Sequence, residues 1–163
     1  MKTLLALAAF ALLIAAAPAP GDNPQVDFAG FAALTSGVGA YRQDRLVDLE
    51  QFQAIAARPD ALILDARSAD AFARGHIKGA VNLPFTDFTA SRLAETIGDA
   101  NRPILIYCNN NFSNDQAPVR MKATALALNI QTFINLVGYG YRNVYELRDV
   151  VDFNDPKVRW LKG

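Results

Sequence analysis

Residues 104–108 read Ile-Leu-Ile-Tyr-Cys, a run entered from Pro103 and left through Asn109-Asn110-Asn111-Phe112-Ser113-Asn114. An apolar, β-branched run without polar alternation fits a strand buried on both faces, as in parallel sheets. Apolar spacing resumes from Pro118 to Leu128, with Pro118 suited to the first turn of a helix. Strand, polar loop and helix in that order place Cys108 where open α/β sheets bind their ligands. Loop amides and a helix N-terminus there favour a thiolate, with a pKa below the roughly 8.5 of a free cysteine. The competing reading of a lone cysteine is a small buried apolar residue. The strand–loop–helix setting favours the nucleophile.

The rest of the chain supplies the elements of an α/β sheet. Phe31, Leu34, Val38 and Tyr41 recur at helical spacing, which predicts a helix capping the sheet from outside. Leu46-Val47 is a short strand, and Asp48 with Gln51 forms a capping box for a helix through Ala57. Ala61 to Ala66 is a second buried strand ending in Asp65-x-Arg67. Ser68 caps a short helix with Phe72 inward, and Gly75 closes it. A turn within residues 75–84 feeds a third strand, and Thr89 caps a helix over 90–97 that Gly98 ends. Ile130, Phe133, Ile134 and Val137 continue the helical spacing and predict helix interrupted near Asn129, with a strand over Thr132–Val137 as the alternative, and residues 143–147 form the last strand of the sheet. Alternating strands and helices define a mostly parallel central sheet with helices on both faces.

Half of the 163 residues are apolar and formal net charge is zero. That is enough for one core, and nothing in it is the basic block that nucleic acid requires. Lys2 followed by the apolar run Leu4–Ala17 reads as a signal peptide over residues 1–17, with cleavage near 16–20. The alternative for this segment is an uncleaved N-terminal anchor. The expected address is export, to the periplasm, without stable membrane insertion after processing. Residues 18–44 are then a linker and capping segment, and 45–163 the folded domain. A solitary thiol sent to an oxidising compartment forms no internal disulfide, and it is a liability unless buried or used.

Asp65-x-Arg67, Phe72, Gly75-His76-Ile77-x-Gly79-Ala80 and Asn82-Leu83-Pro84 resemble the first signature of the rhodanese family. Gly140-Tyr141-x-Asn143-Val144-Tyr145-x-Leu147 is similar to its C-terminal signature. The resemblance spans about Arg45 to Leu147 and implies a rhodanese-like α/β fold. It implies that Cys108 is the persulfide-forming residue of a sulfurtransferase, and that His76 belongs to a structural turn. Asp65, Arg67 and Gly79 complete that supporting set. The sequence departs from the family in its active loop, usually short with glycine and arginine, whereas Asn109 to Ala117 contains neither. Asparagines tolerate left-handed backbone, so Asn109–Asn111 could shape an anion nest, or the stretch is a flexible polar loop.

The reading that results is an enzyme that loads sulfane sulfur on Cys108 and passes it to a thiol or other nucleophile. Asn109, Asn110, Asn111, Phe112, Ser113, Asn114 and Arg120 are the candidate substrate contacts, with Lys122 the other nearby cation. Partners are a small sulfur donor or a protein thiol. No metal and no cofactor are expected, because one cysteine and one histidine make no ligand set. The rival is a non-catalytic module that binds a partner protein or small anion. A cysteine phosphatase needs arginine six positions after the nucleophile, and Asn114 stands there.

Overall fold

The computed structural model describes residues 23–114 and 121–163. The expected signal peptide lies outside the described residues, and so does Arg120.

Five strands build a parallel sheet: β1 (Leu46–Val47), β2 (Leu62–Asp65), β4 (Ala80–Asn82), β5 (Ile104–Tyr107) and β6 (Val144–Leu147). Their order is β1-β6-β5-β2-β4, so the strand leading to Cys108 is the central one. Both β2 and β5 are buried along their whole length, as the apolar runs Leu62–Leu64 and Ile104–Tyr107 require, with the buried Asp65 closing β2. A two-stranded antiparallel sheet joins β3 (Gly75–Ile77) to β7 (Trp160–Lys162). This C-terminal strand has no counterpart in the sequence reading.

Helices cover both faces. Alternate residues of the strands feed two cores, because successive side chains point to opposite sides of a sheet. Ile104, Ile106, Leu62, Leu64 and Val144 pack with Val38 of α1 (Phe28–Gln43), Leu93 of α4 (Ala90–Ile97) and Phe133 of α5 (Leu128–Gly138). Leu105, Tyr107, Ile63 and Leu147 pack on the other side with Phe52 of α2 (Leu49–Ala56), Phe112 and Val158. The caps follow the sequence. Asp48 accepts the Gln51 amide at 2.8 Å while the Gln51 side chain accepts the Asp48 amide at 3.3 Å. Ser68 caps α3 (Ala69–Arg74), and Thr89 caps α4.

Two turns depend on glycine. Gly79 links β3 to β4 at φ +86°, a region L-residues avoid. Gly75 lies so close to the Trp160 indole that a Cβ would sit 2.4 Å from its ring nitrogen.

The helix expected over Pro118–Leu128 is absent from the part of it that is described. Residues 121–123 are irregular and Thr124–Leu126 is one 3₁₀ turn. Regular helix begins at Leu128 and runs unbroken to Gly138, so the interruption expected near Asn129 is absent. Ala-rich residues 123–127 offer no side-chain cap, and Leu128 starts α5 without one. What continues is the apolar face from Ile130 onward, and tertiary packing rather than local propensity fixes the start.

Candidate active site

Cys108 follows the last residue of β5 and is 1% exposed. It forms part of the wall of a cavity of about 420 Å³ together with Ala66, Arg67, Ser68, Ala69, Pro84, Phe85, Thr86, Asp87, Asn109, Asn110, Lys122, Leu128 and Gln131. Most of these residues come from the segments that follow β2, β4 and β5 and from the start of α5, with Lys122 from the irregular stretch before it. This is the ligand-binding edge of an open parallel sheet.

The loop after the cysteine turns at once. Asn109–Asn111 form a 3₁₀ turn, and the Asn110 amide donates to Cys108 Sγ at 3.4 Å. None of the three asparagines has positive φ, so the turn does not use the left-handed backbone expected of it. Asn111 explains why. Its Oδ1 accepts the Cys108 amide at 2.9 Å and the Asn129 side-chain amide at 2.9 Å. Its Nδ2 donates to the Leu147 carbonyl at 2.7 Å and the Asp149 carbonyl at 3.0 Å. One buried side chain therefore pins the loop to the end of β6 and to the start of α5. Asn110 closes the excursion that follows: its Nδ2 donates to Lys122 O at 2.8 Å and its Oδ1 accepts the Lys122 amide at 3.1 Å.

The other expected substrate contacts fall elsewhere. Phe112 is 1% exposed and packs edge-on against Tyr107, Phe153 and Trp160, so it is core rather than pocket wall. Ser113 donates its amide to Val151 O at 2.9 Å. Asn114 is held by Asp152 and by the Phe153 amide. Among the expected contacts with described positions, Asn109 and Asn110 line the cavity with Cys108, and Lys122 lines it too.

Beneath the cavity lies a buried ion pair. Asp65, with no exposed surface, accepts Arg67 Nη2 at 2.6 Å, Arg67 Nε at 2.9 and 3.0 Å, and the Tyr107 hydroxyl at 2.5 Å. Arg67 also donates to the Gly75 carbonyl at 2.8 Å. Burial works against the Arg67 charge, yet hydrogen bonds and charge from Asp65 outweigh it and hold the guanidinium above its ordinary pKa. The Tyr107 hydroxyl is pushed well above the usual tyrosine range, first by burial and then by the Asp65 charge. Asn82 donates to the Asp65 and Arg67 carbonyls and so ties β4 to this corner. His76 stacks on Phe72 at 3.8 Å with its Nδ1 3.0 Å from the Phe72 carbonyl, and it does not line the cavity.

The electrostatics of Cys108 correct one expectation. Burial is the largest influence and raises the thiol pKa, and the Glu146 charge adds to it. The amides of Asn110, Asn129 and Leu128 pull the other way, as loop and helix N-terminus were expected to, but they do not prevail. The sequence could locate those amides but could not show how little water reaches the sulfur.

The sequence reading missed Phe85, Asp87 and Gln131 in the cavity wall and, behind it, Glu146 and Arg42. Glu146 stands in β6 beside Ile106 of β5, and it is 4% exposed. Arg42, near the end of α1, clamps it with Nε–Oε2 at 2.7 Å and Nη2–Oε1 at 2.6 Å. The one available signal was a lone acid inside the apolar run 144–147.

The rhodanese-like domain family matches residues 48–149, more than half of the sequence, and the chain belongs to that family. No curated protein matches it. A thiosulfate sulfurtransferase from Pseudomonas aeruginosa is 26% identical with a TM-score of 0.50, over 73% of this chain and 20% of that one. The Alr3790 protein from Anabaena sp. is 22% identical with a TM-score of 0.48, over 63% of this chain and 69% of that one. The BH2092 protein from Bacillus halodurans is 18% identical with a TM-score of 0.47, over 69% and 73%.

Proposed function

We propose that the protein is a sulfurtransferase in which Cys108 carries the sulfur. The observation that supports this most directly is the placement of Cys108 in the wall of a half-open cavity, with backbone amides from Asn110, Leu128 and Asn129 acting on its sulfur. Family membership and the resemblance to a thiosulfate sulfurtransferase support the same reading.

The chemistry runs in two halves. Cys108 thiolate attacks the outer sulfur of a donor, the donor's S–S bond breaks, and the departing group leaves with the electron pair. Cys108 then holds a persulfide. An acceptor thiolate attacks the outer sulfur, takes it as its own persulfide and returns Cys108 as thiolate. Any charge on the outer sulfur meets the same amides, fixed before the reaction starts. Arg67 is committed to Asp65, so it contributes to the cavity mainly by holding its floor.

Intact mass after incubation with thiosulfate or a polysulfide tests the reading. One added sulfur on the wild type, absent from Cys108→Ser, is the expected result. No added sulfur from any donor would overturn it and leave a binding module. Export to the periplasm is part of the proposal, and sequencing the N-terminus of protein recovered from that compartment tests it.

A further inference from the structure

We propose that Arg42 and Glu146 are positioning residues for Cys108. The ion pair that α1 makes with β6 sets the charge felt at the sulfur, so docking of α1 governs how readily the cysteine reacts. This rests on Cys108 as the reacting group.

The geometry comes from the sheet. Glu146 pairs in register with Ile106, and Cys108 lies two residues further on, just past the end of β5 in extended backbone. Ile106 and Cys108 therefore project to one face, the face that Glu146 shares. That face is covered by α1 and α5, where Tyr41 meets Phe133 at a centroid distance of 6.0 Å and Val38 joins the core. A carboxylate buried in such a place is costly unless paired, and Arg42 pairs it through both oxygens. Arg42 lies before residue 48, where the family match begins. The helix that supplies the counter-charge lies outside the matched residues.

Among the described residues, the other charged groups around the cysteine do not substitute for this pair. Arg67 is neutralised by Asp65, and Lys122 and Asp87 line the cavity with opposite signs. On Cys108 itself burial acts first, and Glu146 is the carboxylate that adds to it. In a poorly hydrated site one charge on the neighbouring strand changes the thiolate population by about tenfold.

Three variants test this through the pH profile of iodoacetamide alkylation at Cys108. Glu146→Gln keeps an acceptor for Arg42 and removes the charge, so the midpoint should fall and the rate at pH 7 rise about tenfold. Arg42→Gln leaves the carboxylate uncompensated, so the midpoint should rise and the rate fall several-fold. The double variant retains a neutral hydrogen-bonded pair and should lie between the two. If Arg42→Gln does not fold, Glu146→Gln and the double variant still give the reading. Midpoints indistinguishable from wild type in the folded variants would overturn the proposal. Sulfur loading is followed separately by mass. Shifted midpoints without loading would retire the sulfurtransferase reading alone, and loading with unmoved midpoints would retire this one alone.

Discussion

Asn111 Oδ1 accepts the Cys108 amide at 2.9 Å, so the residue three positions after the cysteine fixes the backbone on which the cysteine sits. The same side chain spends its two donors on the Leu147 and Asp149 carbonyls. It does for this loop what a tight glycine turn would do elsewhere. Asn111→Ala leaves these buried groups unsatisfied, each at about 1–3 kcal/mol. We expect a loss of about 3 kcal/mol in denaturant unfolding and a slower reaction at Cys108. Asn114→Ala, at an exposed pair, should cost under about 1 kcal/mol. Equal effects of the two would refute the assignment.

Phe112 provides the complementary test on the opposite side of the loop. It fills a core among Tyr107, Phe153 and Trp160. Phe112→Ala should cost about 3–5 kcal/mol, as large aromatic deletions do. Phe112→Leu should recover most of that stability with donor KM unchanged. A raised KM in a fully folded Phe112→Leu variant would return this residue to the pocket.

Asp65→Ala strands the Arg67 guanidinium in a buried corner, and breaking a buried pair costs about 3–5 kcal/mol. Thermal melts should fall accordingly. Asp65→Asn keeps the acceptor oxygen but not the charge, and it should fall between the variant and wild type. Melting unaffected by Asp65→Ala would mean that the pair contributes no stability.

Much of this was legible in the sequence, for a physical reason. The strands around Leu62–Asp65 and Ile104–Tyr107 announce themselves because burial on both faces demands unbroken apolar runs. Caps at Asp48, Ser68 and Thr89 are local chemistry and were readable at their positions. What could not be read was long-range. Asn111 and Phe112 look like any polar loop until Leu147, Asp149 and Trp160 are brought to them. Arg42 and Glu146 are 104 positions apart, and only the packing of α1 joins them. The strand Trp160–Lys162 exists because Gly75–Ile77 offers an edge to it.

The raised pKa values of Cys108 and Tyr107 also fix the sign of a pH effect. Both groups are acids held neutral by burial, with folded pKa above the unfolded value. Each therefore contributes stability in full below its unfolded pKa, and that contribution is lost as pH rises through the folded one. For Cys108 the loss begins near the ordinary thiol value of about 8.5, and for Tyr107 near about 10. Unfolding free energy should thus decline from about pH 8.5 upward, and Cys108→Ser should delay the onset. Iodoacetamide should alkylate wild-type Cys108 with a midpoint above that of a free thiol. A midpoint below it would show that the amides of Asn110, Leu128 and Asn129 outweigh burial after all.

Donor choice follows from what lines the cavity. Ala66, Ala69, Pro84, Phe85 and Leu128 make much of it apolar. Among its described charges Arg67 is bound to Asp65, and Lys122 and Asp87 line the wall with opposite signs. A small dianion such as thiosulfate would give up its hydration here to a wall whose described unpaired cation, Lys122, is offset by the Asp87 charge. Each missing charge-assisted hydrogen bond forfeits about 1.5–3 kcal/mol. An organic persulfide presents a single charge and an apolar stem that the walls can cover. Loading by thiosulfate should accordingly be slow, and loading by an alkyl persulfide or polysulfide faster by about tenfold or more. Asp87→Asn removes a negative charge from the cavity wall and should narrow the gap by accelerating thiosulfate selectively. The check is the rate of sulfur gain at Cys108 by intact mass for both donors, with Cys108→Ser as the blank. Rapid, saturable loading from thiosulfate in the wild type would sink the prediction.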